Sequence, residues 1–156
     1  MDVPISGVLG YSCHQDPQLR GQAALIACSI LKLKAIGFHV STVETERLLA
    51  IINGIVVDKE TATASRLAVQ GLRQCLSHVL ESPLCSKMAT SLNNLLRTFS
   101  NPYWLVKVDL LDIIASLSWI SLEYGMRNSQ FSIVLFQKDF FGKFLLPIHN
   151  LTLFFE

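Results

Sequence analysis

Charge is scarce in this sequence: thirteen Lys and Arg and twelve Asp and Glu make up 16% of 156 residues, for a formal net charge of +1. The cations are dispersed, so there is no basic footprint for nucleic acid and no basic amphipathic stripe for a membrane surface, and neither partner is expected. No run of 18 uninterrupted apolar residues occurs, which excludes a simple membrane span. There is no glycine-rich phosphate loop, because Gly7 and Gly10 open no nucleotide-binding pattern. His14, His39, His78 and His149 share no motif with a Ser or Cys nucleophile. The nearest paired carboxylates are Asp109 with Asp112 and Asp58 with Glu60, and both sets are expected to be solvated polar positions rather than acid–base pairs. Cys75, His78 and Cys85 come nearest to a metal cluster but lack a fourth ligand and a paired short spacing. With no basic-and-apolar leader, the four cysteines are expected to be reduced, core-packing thiols of a cytosolic protein. No catalytic residue, cofactor or metal is expected.

What is present is apolar side chain, 51% of the residues, recurring at helical spacing over most of the chain. Asp16-Pro17-Gln18-Leu19-Arg20-Gly21 leads into an almost wholly apolar stretch from Ala23 to Leu31. Asp16 can cap the free N–H groups of the first turn, and Pro17 suits the first helical position because its missing donor would be unpaired there anyway. Asp16 and Arg20 also stand four apart with the acid first, an arrangement worth about 0.2–0.5 kcal/mol on an exposed face. The pattern recurs. Arg66 follows Arg20 by 46 positions and Lys107 follows Arg66 by 41, each opening a long helical pattern. Spacings in the forties belong to two-helix repeats. The third copy, Asn101-Pro102-Tyr103-Trp104-Leu105-Val106-Lys107, again has a cap residue, a proline and an aliphatic–basic pair, whereas the second has only Asp58, Thr61 or Thr63 upstream as caps. Asp16, Pro17, Arg20, Arg66, Pro102 and Lys107 are therefore the repeat markers.

Six helices are expected: about Ile5–Cys13, Pro17–Lys34 with Gly37 as its stop, one capped by Ser41 or Thr42, Thr61–Leu80, Leu84–Phe99 and Tyr103–Glu123. The fold class is all-α, an α-solenoid of about three helix pairs over residues 1–124. Tyr103 and Trp104 are expected to pack into the core at a helix start, with anchoring of a partner as the other reading. Residues 125–156 are rich in Phe and Leu and poorly patterned. They read as an alternative end or a gene-model error such as translated intron, or else as a divergent seventh helix or hydrophobic hairpin. With no evident polar cap at either end, the array is expected to be marginally stable or to self-associate when alone.

The segment from Ile5 to Leu31 with its Asp16–Gly21 start, and Tyr103-Trp104-Leu105-Val106-Lys107 followed by Leu110-Leu111, resemble HEAT repeats of the huntingtin family; the piece around Arg66-Leu67-Ala68 is similar but less distinctive. The resemblance covers roughly residues 3–123. It implies a piece of a large cytoplasmic or nuclear α-solenoid without catalytic activity, which stacks on neighbouring repeats of a longer chain. Its partners would be other proteins, with family roles in vesicle transport on microtubules and in selective autophagy. A HEAT-type regulatory subunit or transport adaptor of another family is the alternative. It also implies an acid–base ladder between repeats, carried by Asp16 and Arg20 and, through the basic residue alone, by Arg66 and Lys107. The acid position is Ala62 in the second copy and Tyr103 in the third, and the polyglutamine tract associated with the family is absent.

Overall fold

The structure, a computed structural model, describes residues 5–88, 91, 94, 95 and 97–116. Five helices lie among them: α1 (Ile5–Ser12), α2 (Pro17–Ala35), α3 (Thr42–Val56), α4 (Ala62–Leu80) and α5 (Trp104–Ser116). Between α4 and α5 run a 3-10 segment (Pro83–Met88), the helical residues Ser91, Asn94, Leu95 and Arg97, and a short 3-10 turn (Thr98–Ser100). No strand occurs among the described residues. The expected fifth helix therefore begins differently: Leu84 to Met88 wind as 3-10 rather than α. Ser82 Oγ accepts from Leu84 N at 3.2 Å and Ser82 N donates to Val79 O at 3.1 Å, so the chain is held in tight turns on either side of Pro83. The expected sixth helix is described only as far as Ser116, and the 125–156 tail lies outside the described residues.

Local chemistry sets the helix ends. Asp16 Oδ1 accepts from Gln18 N at 2.8 Å and Pro17 occupies the first turn of α2. At the other end of α2, Phe38 N donates to Leu33 O and Gly37 N to Lys34 O, with Gly37 at φ 105°. That paired closure requires a left-handed residue after the last turn, which glycine adopts without a Cβ penalty. Ser41 and Glu44 form a reciprocal capping box at the start of α3. Glu44 is held below the usual glutamate pKa, chiefly because its carboxylate is hydrogen-bonded by Ser41.

The helices stack as pairs. α1 packs on α2 and α3 on α4, while α2, α4 and α5 form the continuous inner layer, with the largest interface between α2 and α4. Leu31 of α2, Leu48 and Ile52 of α3, and Leu72, Leu76 and Leu80 of α4 are almost wholly removed from solvent between the stacked helices. At roughly 1.5–3 kcal/mol for each large side chain buried, this exceeds the ~1 kcal/mol that a cap contributes.

The α2–α4 seam is built from glycines that each face a leucine at the equivalent position of the neighbouring repeat. A Cβ on Gly21 would lie 2.9 Å from Leu67 Cβ, and one on Gly71 would lie 3.1 Å from Leu25 Cα. Both pairs stand 46 positions apart, the spacing from Arg20 to Arg66. The second repeat is thus laid on the first by simple translation, each glycine facing the leucine at its own position in the neighbour. Cys28 and Cys75 meet in the same seam, and their contact, together with burial, pushes the Cys28 thiol well above its ordinary pKa. Cys85 is buried too and Cys13 is exposed.

Candidate functional site

Arg20 rises from the first turns of α2 into the joint between the first two repeats. Its guanidinium donates to the carbonyls of His14 at 2.9 Å and Gln15 at 3.0 Å, both in its own repeat's turn. It then crosses to the next repeat, meeting Asp58 Oδ2 at 3.1 Å and Glu60 Oε2 at 3.7 Å. Arg20 thus takes part in the expected ladder between repeats, but the expected pairing of Asp16 with Arg20 along α2 is corrected. Asp16 is spent on the helix cap, and the acid that answers Arg20 is Asp58, in the turn between α3 and α4.

The second joint repeats the principle with other residues. Arg66 Nε donates to Asp109 Oδ2 at 2.6 Å and Nη2 to Asp109 Oδ1 at 3.4 Å, a two-pronged contact that fixes orientation as well as charge. This contact, led by the hydrogen bond, raises the Arg66 pKa further. Two turns further along α4, Arg73 pairs with Asp112. The reading of Asp58 and Asp109 as solvated positions is overturned, since each is largely buried and bound by an arginine of the preceding repeat, whereas Asp112 stays half-exposed in its pair with Arg73. The Asp58 and Asp109 side chains retain only 13% and 15% of their exposure.

The turns themselves are stitched together. Asn101 Nδ2 donates to Asp58 O at 3.3 Å and Tyr103 Oη to Glu60 O at 2.9 Å. These two bonds and the Arg66–Asp109 pair all join residues 43 positions apart. The third repeat therefore follows the second at one constant offset, two residues longer than the spacing from Arg66 to Lys107.

The other markers divide accordingly. Pro17 and Asp16 start α2, and Arg20 and Arg66 make the inter-repeat contacts. Pro102 is exposed in the turn before α5, where Asn101 Oδ1 accepts from Tyr103 N at 2.9 Å, and Lys107 is half-buried on α5. Trp104 does not pack into the core as expected. It is 68% exposed and shares a face of α5 with Val108 and Leu111, at the three-four spacing of one helix side. Among charged groups, sequence reasoning missed the acids: Asp58 sits eight residues before Arg66 and Asp109 two after Lys107, so no fixed offset from the basic residue finds them.

The ion pairs among the described residues thus bind neighbouring repeats to one another. Candidate recognition features are what is left exposed: the α5 stripe and an open cleft of about 960 Å³ beside Arg20.

Comparison with known proteins agrees with this architecture. A family model described as "Huntingtin, N-terminal HEAT" matches residues 11–148, continuing past residue 124. The chain is 26% identical over 141 residues to "HD protein homolog" of Dictyostelium discoideum and 23% identical over 139 residues to "Huntingtin" of Takifugu rubripes. Each alignment takes in 81% of this chain but only 4% of the relative's length. No solved structure matches.

Proposed function

Because the chain belongs to the huntingtin N-terminal HEAT family, we propose that it serves as a non-catalytic segment of a protein-binding scaffold. One observation carries this reading: the arginine–carboxylate pairs of the described residues hold repeat to repeat instead of converging on a reactive centre. Side chains committed in that way give an α-solenoid a fixed shape. A fixed solenoid in turn offers extended faces to partners.

In this reading residues 1–124 are the repeat segment, 125–156 a distinct tail, and the protein acts in the cytoplasm or nucleus. Its partners are other proteins, including transport and autophagy factors of the kind that associate with huntingtin, and the segment stacks on further repeats of a longer chain. Residue-resolved cross-linking in cells, on a full-length family protein carrying this stretch, tests the proposal. We expect cross-links from Lys59, Lys87 or Lys107 to other proteins. Cross-links confined to the parent chain would refute the scaffold role for this segment.

A further inference from the structure

The cleft beside Arg20 has an apolar floor and a charged rim in which cations outnumber carboxylates by one. Leu9 of α1 and Ala50, Ile51, Gly54 and Ile55 of α3 form the floor. Around them stand the cations Arg20, Arg47 and Lys59 and the carboxylates Asp58 and Glu60, with His14 at one end. Arg20 engages both carboxylates, at 3.1 and 3.7 Å. That leaves Arg47 and Lys59, both exposed, and neither has an ion pair among the described residues. Of the α3 acids near it, Glu46 pairs with Lys87 at 3.4 Å, and Glu44, bound by Ser41, feels the Arg47 charge without a direct ion pair. Lys59 also borders a second cavity of about 420 Å³, lined by Arg97, Thr98, Ser100 and Asn101 among others and by no carboxylate. The positive edge therefore continues from the second repeat to the third.

Gly54 adds an independent observation. It lies exposed in the last turn of α3, where a Cβ would meet nothing within 4 Å. Packing among the described residues gives no reason for a residue that costs a helix about 0.5–1 kcal/mol relative to alanine. A bare backbone at that point lowers the cleft floor for something laid upon it.

We propose that this cleft is a docking site for an acidic peptide segment bearing aliphatic side chains: an aliphatic group rests on Ile51, Ile55 and the Gly54 backbone, and its carboxylates face Arg47 and Lys59. The proposal rests on the protein-binding reading and gives it a location and a partner chemistry. Complementary charge of this kind speeds encounter and selects partners, and it weakens with salt because both cations are exposed.

The test uses the full chain and a fluorescein-labelled twelve-residue peptide of leucine and glutamate, with a leucine–lysine peptide as control, followed by anisotropy at low and high salt. Saturable binding of the acidic peptide is expected, weakened about fivefold or more by Arg47→Glu, by Lys59→Glu and by raised salt. Gly54→Phe, which fills the floor, should also weaken it, whereas Lys32→Glu outside the cleft should not. Equal binding of both peptides, no saturable binding, or indifference to both charge reversals would overturn the proposal. Partner cross-links elsewhere on the array, without peptide binding here, would sink this docking site and leave the scaffold role standing.

Discussion

Two glycine-to-alanine substitutions should move stability in opposite directions, and the reason is the α2–α4 seam. Either change relieves the backbone entropy cost of a helical glycine, a gain of about 0.5–1 kcal/mol. At Gly54 nothing stands within 4 Å of the new methyl group, so the gain is kept in full. At Gly21 the methyl would lie 2.6 Å from Leu67 Cδ1, 2.9 Å from Leu67 Cβ and 3.1 Å from Ala64 Cα. The first contact can be relieved by a rotamer change, but the other two can be relieved only by moving α4 away from α2. Overpacking of that sort costs about 1–3 kcal/mol, so Gly21→Ala should lose about 1–2 kcal/mol net. For a chain of this size each kcal/mol shifts Tm by about 2–4 °C. Urea unfolding of the full chain followed by helical circular dichroism, with unchanged m, gives the two values directly. Placing Gly21→Ala on a Leu67→Ala background removes only the Cδ1 conflict, so the penalty should shrink without vanishing. A Gly21→Ala protein stabilised as much as Gly54→Ala would refute the close translation of one repeat on the next.

The ladder should show graded energetics that follow burial. Arg20→Ala, which strands the nearly buried Asp58, should cost about 1.5–3 kcal/mol, as for hydrogen bonds to charged groups; the half-exposed Arg73–Asp112 pair should couple by less than about 1 kcal/mol in a double-mutant cycle, with Arg66–Asp109 between, and an equal value for all three would contradict the geometry. The capping box of α3 should make stability pH-dependent on the acid side. Because the Glu44 pKa is lowered by folding, its contribution is present above the unfolded glutamate value of about 4.3 and lost as pH falls through the folded value. Glu44→Gln should flatten that acid limb, and Ser41→Ala should cost about 1 kcal/mol at neutral pH; an unaltered acid limb in Glu44→Gln would show that the carboxylate is not so held.

Most of the fold is legible from local chemistry. The apolar period, the Asp16-Pro17 start, the Gly37 stop and the Ser41 cap each act within one or two helical turns, and each end they mark is found within about one residue of its expected place. The failures come where a neighbour in space overrides the neighbour in sequence. Asp16 and Arg20 have the right spacing for a pair along one helix, but the Arg20 guanidinium turns to the carbonyls of His14 and Gln15 and to Asp58 of the next repeat, leaving Asp16 as the cap of Gln18 N. Trp104, an aromatic at a helix start, looks like core until the direction of α5 turns its face outward.

By itself the sequence determined an all-helical array with a repeat in the forties, because helix formation, capping and apolar periodicity are short-range and are written in consecutive residues. Only the tertiary structure decided which acid answers which base, the 43-residue offset of the last repeat and the unpaired cations above the cleft. Those depend on how far one helix slides along another, a distance set by the close fit of Gly21 on Leu67 and Gly71 on Leu25 and by the length of each turn. Local sequence chemistry does not encode that slide.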